Sequence, residues 1–178
     1  MKPSRVVILS YLISLCFTCW ASERGQSGPN KNNGGIDISM PESEASLLVT
    51  DNLGDRTGIT DEGPVADNGR PYREIPRSGY SSYGIASDDP KGMDTSPSQF
   101  IEIYAPEKGT YRIHLVGRKN GPFDLQLDTF SSDGSRKPSL RISGAIERSK
   151  SIEIEVKYDP APGVAPVVHS ESSISIKS

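Results

Sequence analysis

The sequence has few of the residues on which catalysis and disulfide bonding depend. Its 178 residues include two cysteines, one tryptophan and two histidines, and the cysteines and the tryptophan all lie within the first 20 positions. A chain that began at residue 22 would have no cysteine, so we expect no disulfide bond in it. Only His114 and His169 remain as imidazole bases, and neither lies in a catalytic motif. We therefore predict that the protein is not an enzyme.

An excess of positive charge is also missing. The chain has 20 lysines and arginines against 23 aspartates and glutamates, which gives a formal net charge of -3. This balance supplies no cationic surface for phosphate backbones or anionic lipids, so we predict no nucleic-acid partner. Glycine and proline are abundant by contrast, at 17 and 14 residues. Their abundance favours short strands joined by turns over long helices.

The one long apolar stretch lies at the N-terminus. Lys2 and Arg5 precede residues 6–20, an apolar run that is typical of a secretory signal peptide. The run is shorter than the roughly 20 apolar residues of a membrane-spanning helix. We therefore predict a signal peptide over residues 1–21, cleaved after Ala21, and no membrane span in the mature chain. Export would place the protein in the periplasm, at the cell surface or outside the cell; the alternatives are a lipidated cysteine and an uncleaved anchor.

Alternation of apolar and polar side chains dominates the rest of the chain. In FDLQLD, the side chains of Phe123, Leu125 and Leu127 share one face, and residues 110–117 and 152–158 repeat the pattern. A period of two residues indicates half-buried strands, and no window shows the 3.6-residue period of a helix. Short, turn-forming connections separate the strands. The pattern predicts an all-β antiparallel sandwich, jelly-roll or immunoglobulin-like, with few or no helices in the mature chain.

Composition divides the predicted mature chain into three parts. Residues 22–45 are polar and rich in glycine and asparagine, which predicts a flexible linker. Ile36 and Ile38 alternate with polar residues there and leave a short edge strand as the alternative. The sandwich is predicted over residues 46–158. Residues 159–178 begin with a proline-rich segment and are predicted to be a disordered tail.

Three segments of residues 46–158 resemble the bacterial pre-peptidase C-terminal domain. They are residues 47–54 (LLVTDNLG), 103–117 (IYAPEKGTYRIHLVG) and 121–127 (GPFDLQL). The resemblance implies a secreted β-sandwich of the kind that accompanies enzymes and adhesins. We therefore expect a non-enzymatic accessory or interaction module of a bacterial cell envelope or secretome, with a protein or a glycan as its partner.

Residues 52–99 form a long insertion in which we place the candidate binding surface. Loops on a rigid scaffold often carry function, and two short strands are predicted here, around residues 73–75 and 83–86. Tyrosine rings stack on sugars and arginines donate hydrogen bonds, so the alternative function is carbohydrate binding. The same rings are also of the type that packs onto a sandwich edge. The candidate binding residues are Tyr72, Tyr80, Tyr83, Arg73 and Arg77.

Acidic residues of the same insertion raise the question of a metal. Asp88, Asp89 and Asp94 surround a Pro-Lys-Gly turn, and carboxylates on loops suit Ca²⁺. Ordinary Asx turns explain the same residues, and no spacing matches an EF-hand loop. We predict no cofactor, with calcium as the open alternative. Residues 79–84 (GYSSYG) lack the spacing of a nucleophile elbow, which leaves a hydrolase as a third and weaker function hypothesis.

Overall fold

The computed structural model describes residues 33–40, 45–60, 71–83, 98–170 and 174–177. Within these ranges all regular secondary structure is β-strand, so the predicted all-β class is confirmed. None of the described residues form a helix long and apolar enough to cross a membrane.

Two antiparallel sheets of six strands pack face to face as a β-sandwich. Strands are numbered in chain order. Sheet A runs, in spatial order, β12 (Ser175–Lys177), β9 (Leu140–Ile146), β8 (Gly121–Phe130), β1 (Gly35–Met40), β6 (Ser98–Tyr104) and β5 (Ser78–Tyr83). Sheet B runs β11 (Val167–Ser170), β10 (Ser151–Tyr158), β7 (Gly109–Gly117), β2 (Ala45–Thr50), β3 (Arg56–Gly58) and β4 (Tyr72–Arg73).

The core forms between the inner faces of the two sheets, as the alternation predicts. Leu125 is fully buried while its neighbour Gln126 is exposed, and Ile113 and Ile154 face each other across β7 and β10. Each such aliphatic side chain contributes about 1.5 to 3 kcal/mol when it leaves water. The burial pattern therefore fixes the register of each strand, since a shift of one residue would expose the whole apolar row.

The predicted linker is wrong over residues 35–40, which form strand β1. This strand lies between β6 and β8 and pairs with both, so it is a central strand rather than the edge strand of the alternative. Ile36 and Ile38 are each 1% exposed and Met40 is completely buried. The polar composition of the window is misleading. Three apolar side chains on one face are enough to hold a strand in the sheet when both of its edges are hydrogen-bonded to neighbouring strands. Residues 1–32, which include the predicted signal peptide, lie outside the described residues.

The predicted disordered tail is also wrong over its two strands. β11 pairs with β10 at the edge of sheet B, and β12 pairs with β9 at the edge of sheet A. Edge strands need a partner on one side only, and Val168 packs against the core. The main-chain N–H of Ser132 also donates to the carbonyl oxygen of Pro160, at 2.7 Å. This contact attaches the start of the segment to the β8–β9 connection.

The long insertion contributes β3 and β4 to sheet B and β5 to sheet A. The strand predicted near residues 73–75 is β4, and the strand predicted at 83–86 lies earlier, as β5 over Ser78–Tyr83. β4 is the outer strand of sheet B and β5 is the outer strand of sheet A. The connection between them therefore crosses from one sheet to the other at an end of the sandwich.

Candidate functional site

Three connections at one end of the sandwich enclose a small cleft. Residues 51–55 join β2 to β3, residues 74–77 join β4 to β5, and residues 105–108 join β6 to β7. The cavity between them has a volume of about 90 Å³ and is also lined by Ile103 and Tyr111. We call it the loop-end cleft. It opens between the two sheets, so its floor is the end of the hydrophobic core.

The floor of the loop-end cleft is apolar and rigidly held. Ile75 is 4% exposed, Tyr111 is 3% exposed and Ile103 is fully buried. The Tyr111 hydroxyl donates to the carbonyl oxygen of Glu107 at 3.0 Å, and its ring meets Tyr158 edge-on with centroids 6.3 Å apart. Burial raises the pKa of the Tyr111 hydroxyl above its usual range. The ring therefore stays neutral and fixed in place.

The β2–β3 connection presents an apolar side chain at the mouth of the cleft. Oδ1 of Asp51 accepts from the main-chain N–H groups of Leu53 and Asp55 at 2.9 and 3.0 Å. Gly54 closes the turn with a φ of 90°, a conformation that favours glycine. As a result, Leu53 stands 74% exposed. The Asp51 carboxylate is engaged in holding this turn.

The other two connections each carry a non-glycine residue with a positive φ. Arg77 has a φ of 55° and Ala105 has a φ of 48°. Hydrogen bonds hold both: the N–H of Tyr104 donates to the Arg77 carbonyl at 3.0 Å, and that of Ala105 donates to the Gly34 carbonyl at 3.2 Å. Such conformations cost on the order of 1 to 3 kcal/mol and are concentrated at ligand sites. Both residues line the loop-end cleft.

The rim of the cleft is polar and its side chains are available. Asn52, Arg77 and Glu107 line it and are exposed. None of these three side chains makes a hydrogen bond or an ion pair with the residues that the structure describes. A small apolar floor inside a rim of unpaired polar groups is the usual form of a recognition site.

Two of the three predicted platform tyrosines, Tyr72 and Tyr80, have rings that the protein itself covers. Tyr80 is 9% exposed, and its hydroxyl donates to Oε1 of Gln99 at 3.2 Å within the core. The guanidinium of Arg56 lies 4.1 Å from the centre of the Tyr72 ring. That ring face is therefore covered by a protein cation. β5 includes Tyr83, whose side chain lies outside the description.

The predicted arginines have different environments. Arg73 donates a hydrogen bond from Nη2 to the carbonyl oxygen of Tyr80 at 3.3 Å and thereby links β4 to β5. Arg77 lines the loop-end cleft, whereas Tyr72, Arg73 and Tyr80 do not. The aspartates suggested for calcium, Asp88, Asp89 and Asp94, lie outside the described residues.

Sequence reasoning missed most of the cleft. A usable signal was the turn sequence Asp-Asn-Leu-Gly at residues 51–54, where an exposed leucine at a turn tip is uncommon. Alanine at position 105 gives no hint of its positive φ. Tyr111 lies in the alternating segment 110–117, and the structure buries it to 3% exposure.

Metal-binding geometry is not found in the described part of the chain, where no three His, Cys, Asp or Glu side chains are suitably grouped. His114 lies on the outer face of sheet B, with Nδ1 3.5 Å from Glu153. His169 is in the edge strand β11. Neither histidine lines the loop-end cleft.

A second surface feature lies on the outer face of sheet A. Asp37 of β1 pairs in register with Glu102 on one side and Asp128 on the other, which places three carboxylates in a row. A shallow depression of about 180 Å³ includes these residues and Phe100. Asp128 is engaged by Arg136 at 2.7 Å. The Asp128 carboxylate is therefore already occupied by an ion pair within the protein.

Comparisons of the chain with protein-family models, with curated proteins and with solved structures find no match. The resemblance to the pre-peptidase C-terminal domain thus stays a prediction from the sequence motifs. The functional interpretation depends on the geometry of the loop-end cleft.

Proposed function

We propose that the chain is an exported, non-enzymatic β-sandwich of a bacterial cell envelope or secretome, similar to pre-peptidase C-terminal domains, and that it acts as an accessory or interaction module. It binds an apolar side chain of a partner protein in the loop-end cleft. The observation that carries the proposal is the apolar floor of Ile75, Ile103 and Tyr111 inside a rim of unpaired polar side chains.

The size of the cleft favours a protein partner. Sites for small molecules and cofactors usually occupy about 300 to 1,000 Å³, whereas the loop-end cleft has about 90 Å³. This volume suits one side chain of a larger ligand. Exposed Leu53 extends the apolar surface beyond the mouth, so the rest of the ligand has a surface to lie on.

The lining supports a binding role rather than a catalytic one. Among the residues that the structure describes, the lining includes no histidine, cysteine, serine or lysine. Its two carboxylates are Asp51, which holds the β2–β3 turn, and exposed Glu107. The Asp51 carboxylate is already occupied by the N–H groups of Leu53 and Asp55, so it is poorly placed to accept a proton from a ligand.

Peptide display tests the binding proposal. We expect the purified protein to enrich peptides with a shared aliphatic residue, and Leu53→Asp to weaken their binding about tenfold or more by placing a charge against the apolar side chain. The matched control is Val164→Asp, because Val164 is another exposed aliphatic, at 42%, outside the cleft lining. Failure to enrich peptides, or an equal loss in both variants, would refute the proposal.

Export rests on Lys2, Arg5 and the apolar run at residues 6–20. The intact mass of the protein recovered from the exporting cell tests it. A chain that begins at Ser22 without a lipid adduct supports cleavage by signal peptidase. A lipid-modified cysteine at the N-terminus contradicts it and supports membrane anchoring instead.

Carbohydrate binding is the second candidate, and the outer face of sheet A is the observation that favours it. There Phe100 lies beside the carboxylates of Asp37 and Glu102, and sugars combine an apolar ring face with hydroxyl donors. A glycan array tests this alternative. Binding that Phe100→Ala abolishes and Leu53→Asp leaves intact would favour the glycan over the protein partner.

A further inference from the structure

We propose that the loop-end cleft recognises a chain terminus: the aliphatic last residue of a partner protein enters the cleft, and its free carboxylate binds the guanidinium of Arg77. This inference rests on the proposed function and names the part of the partner that the cleft selects. It predicts that a free carboxylate, and not only an aliphatic side chain, contributes to affinity.

The charges around the cleft determine where a carboxylate can bind. Of the described residues in the lining, Arg77 is the cation, and Asp51 and Glu107 are the anions. The guanidinium has no partner among the described residues. A ligand carboxylate is repelled by Glu107 on the β6–β7 connection and attracted to Arg77 on the β4–β5 connection. The two connections thereby orient the ligand.

Backbone geometry holds the arginine at the mouth of the cleft. The Arg77 carbonyl accepts from the Tyr104 N–H at 3.0 Å while its φ remains at 55°. This contact joins the strained residue to the end of β6. These contacts fix the backbone of Arg77, while its side chain is exposed. A planar guanidinium forms two parallel hydrogen bonds to a carboxylate, so an arginine beside an apolar cavity matches a residue that ends in a carboxylate.

The position of the floor provides the second half of the recognition. Ile75 lies two residues before Arg77 in the same connection, and both line the cleft. In a terminal amino acid the side chain and the carboxylate are attached to one carbon atom, so they must bind close together. A residue inside a chain has an amide in place of the carboxylate and loses the charged hydrogen bonds to Arg77.

Three small probes separate these requirements in titrations followed by amide NMR of the ¹⁵N-labelled protein. N-acetyl-leucine has the aliphatic side chain and the carboxylate, N-acetyl-leucinamide has only the side chain, and N-acetylglycine has only the carboxylate. We expect saturable shifts at Leu53, Arg77 and Ala105 with N-acetyl-leucine. The other two probes should bind about three- to tenfold more weakly.

Substitutions at Arg77 test whether its guanidinium causes the preference for a free carboxylate. Arg77→Asn removes the charge, and asparagine tolerates a positive φ, so the fold should be retained. It should abolish the difference between N-acetyl-leucine and its amide, whereas Arg77→Lys should keep part of it. Arg148→Gln is the control, because Arg148 is an exposed arginine in the β9–β10 connection, outside the cleft lining.

The outcomes distinguish this inference from the broader function. Equal binding of N-acetyl-leucine and its amide to the unaltered protein would refute the terminus, while the cleft would still bind an internal side chain. Equal loss in Arg77→Asn and Arg148→Gln would also refute it, as would the absence of cleft shifts with N-acetyl-leucine. The peptide display experiment judges the proposed function independently of all three results.

Discussion

The hydroxyl of Tyr111 donates to the carbonyl oxygen of Glu107, four residues earlier, at 3.0 Å. The bond closes the connection by which the chain passes from sheet A to sheet B. A similar tyrosine corner occurs in immunoglobulin-like sandwiches, where a hydroxyl bonds to the backbone a few residues upstream. In this protein it also shapes the cleft, since both residues line it.

Tyr111→Phe tests the contribution of this bond. The ring contact with Tyr158 remains, but the Glu107 carbonyl loses its donor, so we expect the free energy of unfolding to fall by about 0.5 to 1.5 kcal/mol. Urea denaturation measures this change. An unchanged free energy of unfolding in Tyr111→Phe would contradict the role of this bond.

Two glycines, Gly54 before β3 and Gly58 at its last position, distinguish a steric clash from backbone strain. A side chain at Gly58 would collide with the carbonyl oxygen of Leu47, whereas one at Gly54 would meet nothing within 4 Å, although φ is positive at both. Gly58→Ala should cost roughly 3 kcal/mol or more. Gly54→Ala should cost only about 1 to 2 kcal/mol, the cost of the left-handed conformation. Thermal unfolding of both variants checks the difference.

Adjacent positions in β8 test the register. Leu125 is fully buried and Gln126 is exposed. Leu125→Ala should lower the free energy of unfolding by about 2 to 5 kcal/mol because it leaves a cavity. Gln126→Ala removes one exposed hydrogen bond, to Asp128 at 2.9 Å, and should cost roughly 0.5 kcal/mol. Equal costs in chemical denaturation would show that the strand is shifted by one residue.

The sequence predicts the sandwich well because β-strand alternation is a local signal. Residues such as Leu125 and Ile154 have the burial that their period of two implies. Alternation at Ile36 and Ile38 leaves an edge strand open, but the central position of β1 is not predictable because it depends on β6 and β8, which lie some 60 to 95 residues away in the chain. The polar window around Ile36 contains no local sign of two hydrogen-bonded neighbours.

The site is less predictable than the fold for the same physical reason. Arg77 could be chosen because it is a charged residue in an insertion, but its neighbours in the cleft come from connections far apart in the sequence. The side-chain type of Tyr80 suggests a binding residue, but the structure buries this ring. Residue type alone does not reveal which face of an edge strand a ring occupies.

Because of the Asp128 carboxylate, the free energy of unfolding should decrease at acid pH. Burial alone would raise its pKa, but hydrogen bonds from Arg136, Ser139 and Gln126 outweigh burial and hold the pKa below the usual value. A group whose folded-state pKa is lowered stabilises the fold above its unfolded pKa of about 3.9 and loses that contribution as pH falls through the folded value.

Asp128→Asn should therefore cost about 1 to 2 kcal/mol at neutral pH and flatten the decline in stability below about pH 4. Urea denaturation at a series of pH values measures both effects. Glu155→Gln is a suitable comparison because the Glu155 carboxylate forms an exposed ion pair with Lys157, at 3.5 Å, and such surface pairs contribute little energy. An unchanged acid profile in Asp128→Asn would show that other carboxylates control the transition.

Strain at Arg77 predicts a conflict between stability and binding. Its φ of 55° is matched by a φ of 61° at Ser149 in the β9–β10 connection, which contributes nothing to the cleft lining. Asparagine tolerates this conformation better than arginine or serine, so both Arg77→Asn and Ser149→Asn should stabilise the protein by about 0.5 to 1 kcal/mol. Only Arg77→Asn should also lower affinity for N-acetyl-leucine, because only Arg77 supplies a cation to the cleft. Thermal unfolding and NMR titration of the two variants measure both quantities, and a loss of affinity in Ser149→Asn would show that general rigidity, rather than the Arg77 guanidinium, determines binding.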